Sequence, residues 1–163
     1  MSGTKITAYG MLAILSFSLF LGCVGTTPPK PDGKELYNYI TNENNYKKWN
    51  GWPGKEALYP GREPHGSLLT TYVTEDAFSA IKDKKGILPH GSIIVKENYN
   101  ADAVLMGITV MYKVKGYDAE HNDWFWARYS AEDGVFAEGK VNECIDCHAK
   151  RKDNDYLWTE DIK

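Results

Sequence analysis

Cys144-Ile145-Asp146-Cys147-His148 stands only fifteen residues from the C-terminus of this chain, and its position constrains the fold as strongly as its letters do. Two cysteines at this spacing followed directly by histidine read as a c-type haem attachment site. Each thiol can form a thioether to one haem vinyl group, and the adjacent imidazole can then ligate the iron. When that ligand comes so late, the pocket has to be built almost entirely from residues that precede it.

The cysteine inventory agrees with this reading. The chain has three cysteines, Cys23, Cys144 and Cys147. A structural zinc site would want a fourth soft ligand, and no further cysteine exists to supply it. A thioredoxin-like pair belongs beside a βαβ pattern, which the chain lacks. Cys23 follows an apolar run from about Met11 to Leu21 that begins after Lys5 and ends in Phe20-Leu21-Gly22. The run has the length of a signal-peptide core and is short for a membrane span. Residues 1–22 are therefore predicted to be a lipoprotein-like signal peptide, with Cys23 as the lipid anchor of an exported, periplasmic protein. The alternative is a retained N-terminal anchor. A lipid plus one haem uses every thiol and leaves none for a disulfide.

Residues 23–33, rich in proline and glycine, read as a tether, and residues 34–163 as one haem domain with room for a real core. The formal net charge of −3 comes without a basic face, so nucleic acid is not an expected partner. A helix is predicted from Lys34 towards Trp49, with Leu36, Tyr37, Ile40 and Tyr46 on its apolar side. Residues 54–66 look irregular. From Ser67 the period changes to two. Leu68–Val73 reads as a strand, and Thr74 as the cap of a short helix through Lys85. Strands follow at Ser92–Tyr99, Leu105–Lys115 and Trp124–Tyr129. On the third of these four strands Met106, Ile108, Val110, Tyr112 and Val114 share one face.

The fold class is thus mainly β (α+β), an antiparallel sheet with flanking helices and a C-terminal attachment helix. Small helical electron carriers place the attachment motif early and a methionine ligand downstream, whereas no methionine follows His148. Four-helix cytochromes require heptad-like periodicity where residues 67–129 are strand-like.

A β-rich chain with a late attachment motif resembles the cytochrome P-460 family, which includes the β-type cytochromes c-prime. Four segments carry the likeness: Pro64-His65-Gly66-Ser67; Gly91-Ser92-Ile93-Ile94-Val95-Lys96-Glu97; Asp123-Trp124-Phe125-Trp126; and Cys144–His148 followed by Asp155-Tyr156-Leu157-Trp158-Thr159. The resemblance implies a homodimer with one covalent haem c, ligated by His148 and open at the sixth position. In the lysine-containing branch a lysine is cross-linked to the macrocycle, and Lys96 occupies that position. Such members oxidise hydroxylamine and pass electrons to a soluble redox partner, while the β-type cytochromes c-prime bind nitric oxide. A small nitrogenous ligand or substrate is implied in either case.

The residues carry their own arguments beside the likeness. Lys96 follows Ile93, Ile94 and Val95 on an apolar strand, where a desolvated amine would become a nucleophile. A solvent-facing lysine protecting a sheet edge is the alternative. Glu138, six residues before Cys144, is a candidate general base by its place in the family pattern, or else an ordinary acid in the Ala137-Glu138-Gly139 turn. His65 could donate to a bound ligand or satisfy a loop carbonyl. His90 and His121 sit in turn contexts and read as solvent-facing. Met106 and Met111 read as core packing. Three functions remain open: an oxidoreductase of hydroxylamine or nitric oxide, a nitric oxide binder without turnover, and an electron carrier.

Overall fold

The computed structural model describes residues 27–131 and 134–163. The predicted signal peptide and Cys23 lie outside the described residues. Within them, no helix is long and apolar enough to cross a membrane.

The first helix, α1 (Gly33–Asn38), is capped by Asp32, whose Oδ1 accepts the amides of Lys34 and Glu35 at 3.0 Å. The single helix expected from Lys34 to Trp49 is replaced by three short pieces. After α1 come a π-helical turn over Tyr39–Glu43 and a 3-10 turn over Tyr46–Lys48, parted by Asn45 at φ 38°. Asparagine accepts the left-handed conformation and competes for backbone hydrogen bonds, so the run Asn42-Glu43-Asn44-Asn45 ends the helix early. The apolar residues nevertheless land as expected, with Leu36, Ile40 and Tyr46 buried together.

A seven-stranded antiparallel sheet forms the body. Its strands are β1 (Asn50–Gly51), β2 (Tyr59–Pro60), β3 (Leu68–Val73), β4 (Ile93–Tyr99), β5 (Leu105–Lys113), β6 (Trp124–Ser130) and β7 (Val135–Gly139). The order is β1-β3-β4-β5-β6-β7, with β2 also paired to β3. Helix α2 (Glu75–Lys82) connects β3 to β4, and α3 (Asn142–His148) carries the attachment motif. Thr74 stands at the N-cap of α2, but its hydroxyl accepts the amide of Ile93 instead of a helix amide.

Alternation along the strands sends side chains into two cores. Ile93, Val95, Ile108, Val110, Phe125 and Tyr129 pack with α1 on one face. Ile94, Met111, Trp124 and Trp126 pack on the other with α2, Ile145 and the C-terminal Tyr156, Leu157 and Ile162. Part of the expected tether belongs to the domain: Tyr112 Oη donates to the carbonyl of Pro29, and Gly33 is buried.

Two bulges depart from the sequence reading. Asn98 opposes Gly107 while Tyr99 opposes Leu105, so Met106 is an extra residue on β5. Met106 therefore leaves the apolar face it was assigned to and is 60% exposed, whereas Met111 is buried as expected. Phe136 is the corresponding extra residue on β7 and is 71% exposed. That bulge hides the alternation of Val135–Gly139, and Ala137-Glu138-Gly139 lies in a strand instead of the expected turn.

Candidate functional site

Helix α3 sets one wall of the site. Cys144, Cys147 and His148 stand at i, i+3 and i+4, which places them on one helical face. All three line a cavity of about 600 Å³ between α3 and the sheet. Both cysteines are free thiols. Burial, with the nearby Glu143 charge, pushes the Cys144 thiol above its ordinary range.

His148 is oriented by the segment that follows α3. Its Nδ1 donates to the carbonyl of Tyr156 at 2.6 Å, and its ring meets Trp126 edge-on at 4.8 Å between centroids. Donation from Nδ1 fixes the tautomer and leaves Nε2 as a lone pair, the arrangement that metal-ligating histidines show. Burial, followed by the charge of Lys96, lowers the His148 pKa to about 4 despite the opposing effect of the hydrogen bond to the Tyr156 carbonyl. The imidazole is thus neutral at physiological pH.

The sheet supplies the facing wall. Register places Lys96, Thr109, Arg128 and Ala137 in one row across β4, β5, β6 and β7, and all four line the cavity. The next row on the same face, Ile94, Met111 and Trp126, forms an apolar part of the lining. Lys96 is half-buried there, and desolvation, with a smaller contribution from Arg62, lowers its pKa to about 8. Its neighbour Glu97 points to the other face, buried beneath Tyr46 Oη at 2.8 Å and Tyr99 Oη at 2.6 Å. Strand alternation thus divides the Lys96-Glu97 pair between the site and the opposite core.

His65 reaches the cavity from the loop before β3. It lies 6.2 Å from His148, ring to ring and nearly perpendicular, with Nδ1 3.3 Å from Thr109 Oγ1. Burial, then the charges of Lys96 and His148, depresses its pKa to about 3, so it remains neutral.

Glu138 stands apart from this group. It opposes Ala127 on β6, whose side chain belongs to the α1-facing core, and its Oε2 accepts the amide of Gly33 at 3.0 Å. The structure therefore places Glu138 across the sheet from the cavity, where it anchors the start of α1. The acids that line the cavity are Glu63 and Glu143, both exposed. His90 and His121 pair with Asp123 and Asp118, away from the site.

The cavity suits a haem. Its volume falls in the range of cofactor sites, roughly 300–1,000 Å³. Buried polar atoms that lack a hydrogen-bond partner, Trp52 Nε1, Asn98 Oδ1 and Trp126 Nε1, belong to residues lining it. The donor set of two thiols, a free imidazole nitrogen and an amine matches covalent haem attachment with one axial ligand. Among the described residues no cluster of three or more His, Cys, Asp and Glu is placed to hold a bare metal ion. Sequence reading did not identify the Tyr156 carbonyl, which as a backbone group leaves no trace in residue type, nor Arg62, Thr109 and Arg128.

Compared with known families, the chain matches the family model described as Cytochrome P460 over residues 43–159. No curated protein matches it.

Proposed function

This chain belongs to the cytochrome P460 family, a family of haem-binding cytochromes, and on that premise we propose that it is an exported c-type haem protein reacting with hydroxylamine or nitric oxide. The observation that carries the reading is the convergence of Cys144, Cys147, His148 and Lys96 on one cavity.

The thiols of Cys144 and Cys147 would hold the haem through two thioethers, and His148 Nε2 would be the proximal ligand. Haem, when bound, supplies an iron that takes a small nitrogenous ligand and exchanges electrons with it. The bond from His148 Nδ1 to the Tyr156 carbonyl orients the ring and raises its basicity towards a metal. Lys96 has the low pKa of an amine with an accessible lone pair, which forming a bond to the macrocycle edge requires. Until cross-linked, the same amine is mostly an ammonium at pH 7 that can donate a hydrogen bond to a bound ligand, and it becomes a free base only as pH passes about 8. His65, held neutral, can share one hydrogen bond with a bound ligand but is too weak a base to keep a proton at pH 7. Electrons would leave to a soluble redox partner, from a homodimer tethered through lipid at Cys23.

The placement of Glu138 across the sheet favours a second reading, a nitric oxide binder without turnover, since the proposed carboxylate base is engaged elsewhere. Three measurements separate the readings. Intact mass of the matured protein counts thioethers, and a peptide joining Lys96 to the haem fragment demonstrates the cross-link. Hydroxylamine turnover with an artificial acceptor supports the oxidoreductase. Nitric oxide binding with unmodified Lys96 and no turnover supports the binder.

A further inference from the structure

Beside the haem cavity lies a second hollow of about 450 Å³, joined to the first through His65, Lys96, Cys147, His148 and Trp158. Its own walls add Lys55, Arg62 and Lys150. Four cations thus line it against one carboxylate, Glu63, which is exposed. The imbalance is local, because the whole chain is acidic at −3.

Among the described residues none of these four cations forms an ion pair, whereas Lys47, Lys113, Lys140 and Arg151 do. The comparison is clearest at Trp158. Arg62 lies 4.5 Å from its ring centroid and Arg151 lies 5.7 Å from the same centroid. Arg151 is bonded to Asp161, while Arg62 has no carboxylate partner among the described residues. Trp158 is itself fixed, with Nε1 donating to the Cys147 carbonyl at 3.3 Å. Stacking on an aromatic face holds a guanidinium in place and leaves its N–H edges available, the geometry that reads planar oxyanions.

Like charges gathered along one hollow repel one another. A cleft lined by one sign also concentrates counter-ions. We propose that this hollow is a binding site for a carboxylate or small oxyanion, with Arg62 and Lys150 as its anchors, Lys55 at its rim and Lys96 at its junction with the haem cavity. Two sources supply that chemistry: the propionates of a haem in the adjoining cavity, or a free oxyanion entering from solvent. Only the first source rests on the haem reading, and loss of hydroxylamine turnover would leave the inference untouched.

The test uses matured holoprotein and an Arg62→Gln/Lys150→Gln variant, both changes at exposed positions. Calorimetric titration with sodium nitrate at low ionic strength is expected to show saturable binding that weakens ten-fold or more in the variant. Arg62→Lys, which keeps charge but not the planar fork, should lose part of the affinity and provides a check independent of the double change. If propionates already fill the hollow, nitrate does not bind, and the propionate bending band in the resonance Raman spectrum shifts between wild type and variant. Either result supports the site and names its occupant. Nitrate binding equal in both proteins, or no binding together with an unchanged Raman band, overturns it.

Discussion

His148 Nδ1 and the carbonyl of Tyr156 are joined by a 2.6 Å hydrogen bond, and the segment carrying that carbonyl is fixed by a buried ion pair one residue earlier. Asp155 is fully buried and accepts Lys113 Nζ at 2.5 and 2.7 Å, the amide of Leu88 at 2.8 Å and Asn122 Nδ2 at 2.9 Å. Its own carbonyl accepts Trp124 Nε1 at 3.0 Å. Asp155 and Tyr156 both take left-handed backbone angles, φ 52° and 67°, which these anchors hold in place. The imidazole that would face the iron is therefore positioned through a carboxylate that never enters the cavity.

Asp155→Ala should accordingly act at two levels. It leaves a buried ammonium uncompensated, a defect of about 3–5 kcal/mol, readable by urea unfolding. It also frees the Tyr156 carbonyl to shift, so the reduction potential of holoprotein should move. Lys113→Met added to the same chain removes the stranded charge and should recover part of the stability but not the potential. Recovery of both, or of neither, would separate His148 positioning from this pair.

Glu138→Ala should behave as a structural change. The Gly33 amide would lose its acceptor, at about 1–2 kcal/mol, and Glu138→Gln should retain most of that stability. Haem content and ligand affinity should stay at wild-type values in both variants. A large loss of hydroxylamine turnover in Glu138→Gln, without loss of stability, would return this acid to the chemistry.

What the sequence made legible is what neighbouring letters encode. The attachment motif is contiguous, and α3 needs only its own spacing to bring Cys144, Cys147 and His148 to one face. Leu68–Val73, set between Ser67 and the Thr74 cap, forms a strand with the expected bounds. Lys96 faces the cavity because Ile94 and Val95 fix the phase of β4. Where one residue is inserted, that logic fails: the bulges at Met106 and Phe136 reverse the alternation beyond them, and β7 disappeared into a turn. Relationships over long separations were also hidden. Nothing near Arg62 announces Trp158, and nothing near Gly33 announces Glu138.

The acid side of the stability curve should depend on Asp123. Its carboxylate accepts the amides of Gly116 at 2.9 Å and Asp118 at 3.0 Å, and His90 Nε2 lies 3.1 Å away. These bonds, that of Gly116 first, hold its pKa below the usual carboxylate value. A depressed folded pKa adds stability that is complete above the unfolded value and disappears as pH falls through the folded one. Wild type should therefore exceed Asp123→Asn in unfolding free energy at pH 7, and the difference should shrink as pH falls below the ordinary carboxylate pKa. A difference that does not change with pH would show that the loop is held by shape and not by charge.

Lys96 offers a pH-dependent test of a charge that weakens the fold where that of Asp123 strengthens it. Burial lowers its folded pKa from 10.5 to about 8, with Arg62 adding to the effect. The native chain therefore holds fewer protons than the unfolded chain between those values, and stability rises with pH across that window. The penalty for keeping the ammonium in the cavity is complete below about pH 8 and fades towards pH 10.5. In protein lacking a cross-link, Lys96→Met should be more stable than wild type at pH 7, and the gap should close as pH passes from 8 to 10.5. In cross-linked holoprotein the nitrogen belongs to the macrocycle and no longer titrates as a free amine, so the gap between the two chains should not vary with pH. Denaturant unfolding from pH 6 to 10.5 therefore reports the state of this nitrogen without reference to activity. A flat difference in uncross-linked protein would mean that Lys96 keeps its charge in solvent, and that the amine is not activated for bonding to haem.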